Sequence, residues 1–227
     1  MSRLIAGVLA VFLFGQITWA AEGKYSIKVV DKAAVPKEVK EPIAKLLSDK
    51  SIQLLDNKSA VVAELWFRKE LPASANEAQI KNGLTYRELD ETTLLGAVRF
   101  AQDVTDYRKQ KIKAGVYTLR LAIQPMDGDH MGTAPYNEFC LLCPADMDKT
   151  PEVIDAKELH KLSTKSTTRK HPGIMLLFPN KKPAETPVVE AKPKEHWVLS
   201  FQMPVSAGEQ KASLGFSLVV IGVTLAE

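Results

Sequence analysis

The chain has 227 residues and a formal net charge of +3, with 25% of its residues charged and 45% hydrophobic. Basic and acidic residues are interspersed along it, which leaves no basic face of the kind that grips nucleic acid. Two cysteines are too few for a disulfide scaffold, so burial of apolar side chains must hold the fold.

Met1-Ser2-Arg3 carries one positive charge, and the chain then runs from Leu4 to Ala21 without a charged residue. The apolar core Leu4 to Phe14 is too short for a comfortable membrane span, and Thr18-Trp19-Ala20 places small residues where a signal peptidase reads them. The pattern predicts a signal peptide over residues 1–20 and an exported chain, periplasmic or extracellular. An uncleaved N-terminal anchor is the alternative. No Cys follows Ala20 to carry a lipid, and no later apolar run approaches the roughly 18 residues of a spanning helix. Residues 21–227 then form one domain, a length within the roughly 200 to 250 residues that single all-β domains reach.

Tyr25 to Val30 alternates apolar and polar residues and predicts a first strand. Pro42 opens a predicted short helix from Glu41 to Ser48. Ser51 to Leu55 and Ala60 to Glu70 read as a hairpin across Asp56-Asn57-Lys58-Ser59, with Val61, Ala63, Leu65 and Phe67 on one face and Val62, Glu64, Trp66 and Arg68 on the other. Ser74 and Glu77 have capping-box spacing, and Asn82-Gly83 supplies a stop, so a helix is expected over Ala75 to Lys81. Thr85 to Leu89 and Thr92 to Phe100 read as strands, followed by a polar crossing from Asp103 to Tyr107 and a strand from Lys109 to Ile112. Val116 to Gln124 is the clearest strand, since Tyr117, Leu119, Leu121 and Ile123 alternate with Thr118, Arg120 and Ala122.

Glu138 to Leu142 reads as a short strand ended by Pro144. Asp155 and Glu158 start a short helix over Ala156 to Ser163, and Gly173 to Phe178 returns to strand. Lys165 to Lys170 is the most basic short piece, and its Ser and Thr content without stacking aromatics reads as a solvated loop. Residues 180–194 hold Pro183, Pro187 and Pro193 among Lys and Glu, and predict a mobile, protruding loop. Two final strands, one carrying Trp197, Leu199, Phe201 and Met203 and the other running through Leu214 to Leu225, pair across Ala207-Gly208-Glu209. Short strands separated by turns, with two or three short helices, predict a mostly β chain: a single antiparallel β-sandwich or jelly-roll-like domain.

The densest turn chemistry lies in Gln124 to Tyr136, where Gly128 and Gly132 permit positive φ and Pro125 and Pro135 stiffen the ends. Asp127, Asp129 and His130 could converge there on a metal ion. Two carboxylates suit calcium, but Met131-Gly132 breaks the EF-hand pattern. His130 with Met126 and Met131 suits copper instead, with His171 or Cys140 as further ligands. The alternative is that the Asp side chains bond their own backbone and hold a tight loop.

Cys140 and Cys143 have the spacing of a redox pair, yet they sit on a strand rather than at a helix N-terminus. On an ideal strand they point to opposite faces with Cα atoms roughly 10 Å apart, beyond disulfide reach, so two separately buried thiols are expected. His130, His160, His171 and His196 are the candidate general bases, but no Gly-x-Ser-x-Gly elbow, His-Glu-x-x-His pair or phosphate loop accompanies them. His160 and His196 read as surface or boundary residues. Among aromatics, Trp197 shares a face with Leu199 and Phe201 and reads as core, leaving Trp66 and Tyr136 as exposed rings able to stack on sugar.

Lys111-Ile112-Lys113-Ala114-Gly115-Val116-Tyr117-Thr118-Leu119, then Asp127-Gly128-Asp129-His130-Met131-Gly132 and Pro135-Tyr136, resemble the signature segments of uncharacterised exported β-sandwich proteins of environmental bacteria. Leu65 to Glu70 and His171-Pro172 extend the resemblance over most of residues 21–227. It implies export and a sandwich fold and carries no activity.

The leading expectation is an exported, non-catalytic binding or structural accessory protein for an envelope or extracellular ligand or protein, with Asp127, Asp129, His130, Tyr136 and His171 as its contact residues. The second is a metal-binding protein, copper before calcium, using Asp127, Asp129 and His130. The third is an exported hydrolase.

Overall fold

The computed structural model describes residues 24–124, 134–169 and 171–224. The predicted signal peptide and the residues Asp127, Asp129 and His130 lie outside them. In chain order the strands are β1 (Tyr25–Val30), β2 (Ser51–Asp56), β3 (Val61–Phe67), β4 (Leu71–Pro72), β5 (Leu94–Phe100), β6 (Val104–Thr105), β7 (Lys111–Ile112), β8 (Gly115–Ile123), β9 (Glu138–Pro144), β10 (Gly173–Leu176), β11 (Val188–Lys192), β12 (His196–Ala207) and β13 (Gln210–Ile221). Three helices are interspersed: α1 (Glu41–Ala44), α2 (Glu77–Asn82) and α3 (Ala156–Ser163).

The mostly β expectation holds. Seven strands form one antiparallel sheet in the order β1-β2-β3-β5-β8-β9-β10, and β11-β12-β13 form the second layer, with β4 pairing parallel to the far end of β12. β6 and β7 make a separate small hairpin. The two layers close on each other along one side, where Leu177 bridges Leu218. Between them Leu65, Leu119, Leu121 and Leu142 of the large sheet meet Met203, Leu214 and Leu218 of the small one. At the centre the rings of Phe67, Phe201 and Phe216 form a triangle with centroid separations of 4.7, 5.2 and 5.3 Å. Each such pair adds about 0.5–1.5 kcal/mol beyond its area burial.

The outer face of the large sheet is covered too. Val39, Ile43 and Leu47, from the segment around α1, lie on Trp66, Leu94 and Ala97. Further along, α3 places Leu159 against Ala122, Leu141 and Cys143. Burial on both faces explains why β3, β5 and β9 are almost wholly apolar, a pattern alternation alone does not produce. It also corrects the reading of Trp66 as exposed. The side chain is 1% exposed, its ring lies 5.7 Å beneath the Arg99 guanidinium, and its Nε1 has no partner among the described residues. Nothing local in β3 announces that this segment will cover it.

Other departures have equally local causes. Thr85 to Leu89 is a 3-10 turn at Tyr86–Glu88 and not a strand, because Glu88 accepts from Thr85 N–H at 2.7 Å while Thr85 Oγ1 accepts from Arg87 N–H. α2 begins two residues later than the Ser74 spacing suggests. Asn76 is its cap and Gln79 closes the box at 2.9 and 3.0 Å, since an Asn–Gln pair satisfies the same two N–H groups as Ser–Glu. Residues 180–194 are not wholly a protruding loop: Val188 to Lys192 pair with His196 to Ser200, and Val189 is buried in the core. The crossing at Asp103 to Tyr107 contains β6.

Candidate functional site

A cleft of about 920 Å³ opens where four pieces of chain meet: residues 82–87, residues 135–138, residues 179–183, and the side chains of Gln202 and Ser213 with Gly215 on β12 and β13. α2 delivers the first wall. The helix ends at Gly83, whose φ of +91° suits glycine, and the capped turn at Thr85 follows. Tyr86 locks this turn to the sandwich. Its ring packs edge-on to Phe216 at 6.0 Å, its hydroxyl donates to Phe178 O at 3.0 Å, and the same oxygen accepts Ser217 N–H at 2.9 Å. Burial pushes the phenol well above its ordinary value, so Tyr86 stays neutral and serves as a fastening.

The third wall is held equally closely. Asn180 Nδ2 donates to Phe216 O at 3.3 Å, and Phe178 N–H donates to Ser217 O at 2.9 Å. At Gly215 the loop presses on the strand so tightly that a Cβ there would lie 2.0 Å from Asn180 O. Glycine is therefore required by close approach of two backbones.

The second wall carries the groups that face outward. Tyr136 is 36% exposed, and its ring stands edge-on to Phe178 at 5.0 Å. Phe178 in turn meets His196 at 5.9 Å, and His196 meets Tyr107 at 5.6 Å, making a row of rings from the cleft into the interior. Two residues on, Glu138 begins β9 with a side chain only 15% exposed. Its one ion-pair partner among the described residues is Arg87 of the opposite wall, with Nε 3.7 Å from Oε1. That separation is longer than a hydrogen bond, so the pair faces its partner across a gap.

Of the residues that sequence reasoning selected, Tyr136 is in this cleft. His171 is exposed in the turn before β10, where its carbonyl accepts from Thr167 Oγ1 at 2.7 Å, and it is not among the cleft residues. Asp127, Asp129 and His130 lie outside the described residues. Among the described residues no group of three or more His, Cys, Asp or Glu could hold a metal ion. Cys140 is buried between the two sheets and Cys143 under α3, on opposite faces of β9, and both are free thiols. Burial raises both thiols far above their ordinary value, which removes the thiolate that redox or metal chemistry requires. His160 is exposed on α3. His196, expected at the surface or boundary, is buried, with Nε2 3.3 Å from Val223 O; the rings of Tyr107 and Phe178 enclose it, and neither neighbours it in sequence.

Sequence reasoning missed Arg87, Glu138, Asn180 and Gly215. The Thr85–Glu88 spacing was a usable capping signal for the turn that carries Arg87, but the meeting of segments about 50 and 100 residues apart leaves no local trace. Comparison with known proteins finds no family model, no curated protein and no solved structure that matches the chain.

Proposed function

We propose that the protein is an exported, non-catalytic binding module whose ligand sits in the cleft beside Tyr136. The observation that carries this reading is the cleft itself: its volume is that of a small-molecule site, and its walls are fixed by hydrogen bonds before any ligand arrives. The polar groups of Tyr86 and Asn180 are spent on that fixing, while Tyr136, Glu138 and Arg87 face the open space. Export rests on the residue pattern of 1–20.

The test is ligand-observed NMR with fragments of envelope material, peptides and saccharides among them, on the wild type and on Tyr136→Ala. Binding that weakens at least several-fold in the variant supports the cleft as the site. Binding unaffected by the variant places the ligand elsewhere and sinks the reading.

A further inference from the structure

We infer that the ligand of this cleft is a neutral oligosaccharide, an inference that rests on the cleft being the binding site. Three features of the walls point the same way. The first is the Tyr136 ring, partly exposed and backed by Phe178 at 5.0 Å, so that it is held in place rather than free to turn. A pyranose presents one face of C–H groups, and a supported aromatic ring is the flat apolar surface that such a face covers.

The second is the gap between Arg87 and Glu138. A hydroxyl is at once a donor and an acceptor. Set to one side of Arg87 Nε and Glu138 Oε1, which stand 3.7 Å apart, it can lie within hydrogen-bond distance of both, accepting from the guanidinium and donating to the carboxylate. An inorganic anion would meet the Glu138 carboxylate, and a purely apolar ligand would strip water from both charges without replacing it.

The third is what the cleft denies to a peptide. An extended peptide binds by adding a strand to a free sheet edge. Along the β13 edge at the cleft, Phe216 O already accepts from Asn180, Ser217 O accepts from Phe178 N–H, and Ser217 N–H donates to Tyr86. Leu84 and Leu177 bridge the same strand at Leu214 and Leu218. The main-chain groups a peptide strand would need are taken.

The experiment is saturation-transfer difference NMR on the purified protein with four probes: cellotetraose, chitotetraose, maltotetraose and a blocked tetra-alanine peptide. The expected result is saturation of the C–H protons of at least one tetrasaccharide, none of the peptide, and an affinity that falls at least tenfold in Tyr136→Ala and is largely retained in Tyr136→Phe. Glu138→Gln, which keeps the shape and removes the charge, should weaken the same sugar several-fold. Circular dichroism and the melting temperature identify any variant that has lost its fold, and Tyr136→Phe then carries the comparison. Peptide binding that Tyr136→Ala abolishes, with no sugar bound, overturns the saccharide inference and leaves the cleft reading standing. Sugar binding indifferent to Tyr136 and Glu138 overturns both, whereas the absence of binding by all four probes overturns the saccharide inference alone.

Discussion

Arg120 grips Asp148 with both ends of its guanidinium: Nε donates to Oδ2 and Nη2 to Oδ1, each at 2.8 Å, and neither side chain is more than 2% exposed. The remaining donors go to the carbonyls of Thr92, Thr150 and Glu152, and Thr118 Oγ1 adds a bond to Asp148 at 2.6 Å. All five guanidinium donors are used, which is the condition under which a buried ion pair is tolerated. The pair ties residues 148–152 to the middle of the large sheet.

Asp148→Ala leaves a buried guanidinium without its counter-charge and should lower stability by about 3–5 kcal/mol. Replacing both partners by Met and Leu should not restore it fully, because the three carbonyls then lose their donor. Urea unfolding midpoints for the two variants check this. A double variant as stable as wild type would show that the carbonyls are satisfied without Arg120.

The thiols should be inert in the folded protein. Ellman's reagent at mildly alkaline pH is expected to label neither Cys140 nor Cys143, and to label both once urea has unfolded the chain. Fast labelling of either in native buffer would contradict their burial.

Asp103 and Asp106 should titrate on opposite sides of the ordinary carboxyl value of 3.8. Asp103 is held low by Lys111 Nζ at 2.7 Å and by Ala114 N–H at 2.9 Å. Its contribution to stability is present above 3.8 and is lost as pH falls through its folded value. Asp106 is pushed up by burial, against the donors from Gln110, Ile174 and Arg108. Its contribution is fully present below 3.8 and is lost as pH rises through its folded value. Carboxyl-carbon NMR titration checks the order, and Lys111→Ala should raise the Asp103 midpoint while leaving Asp106 in place.

Gly215→Ala should cost about 1–3 kcal/mol, because the new methyl group cannot coexist with Asn180 O without moving residues 179–183. Gly208, at φ +61° with open space around its Cα, should lose only about 1 kcal/mol on the same change. Melting temperatures rank the two. Amide shifts at residues 179–183 should change in Gly215→Ala alone.

Legibility in the sequence followed the range of the interactions. The β2–β3 hairpin, β8, α3 under its Asp155 cap and the β12–β13 hairpin are written in alternation, caps and turns, all of which act within a few residues. The opposed faces of Cys140 and Cys143 follow from strand pleating in the same way. Trp66 was misjudged because its cover comes from residues 39–47, which are not its strand partners. β11 was hidden by the prolines around it, although all of Val188 to Lys192 pairs with β12 and Val189 enters the core. For the cleft, Tyr136 was legible as an aromatic beside a turn-rich stretch, whereas Arg87 opposite Glu138 exists only once β9 and the α2 connection have been brought together.

The second layer of the sandwich is supplied chiefly by β12 and β13, twelve residues each, and these strands follow every strand of the large sheet in the chain. A ribosome therefore releases all seven strands of that sheet before Phe216 and Leu218 exist to cover Leu65, Phe67, Leu119 and Leu121. A nascent chain stopped before Gln210 holds every strand of the large sheet but lacks Leu214, Phe216 and Leu218, so part of the inner face stays uncovered and β12 lacks its β13 partner. Such an intermediate is the species that chaperones would hold, and a premature stop between Gln210 and Phe216 should cause aggregation rather than partial function.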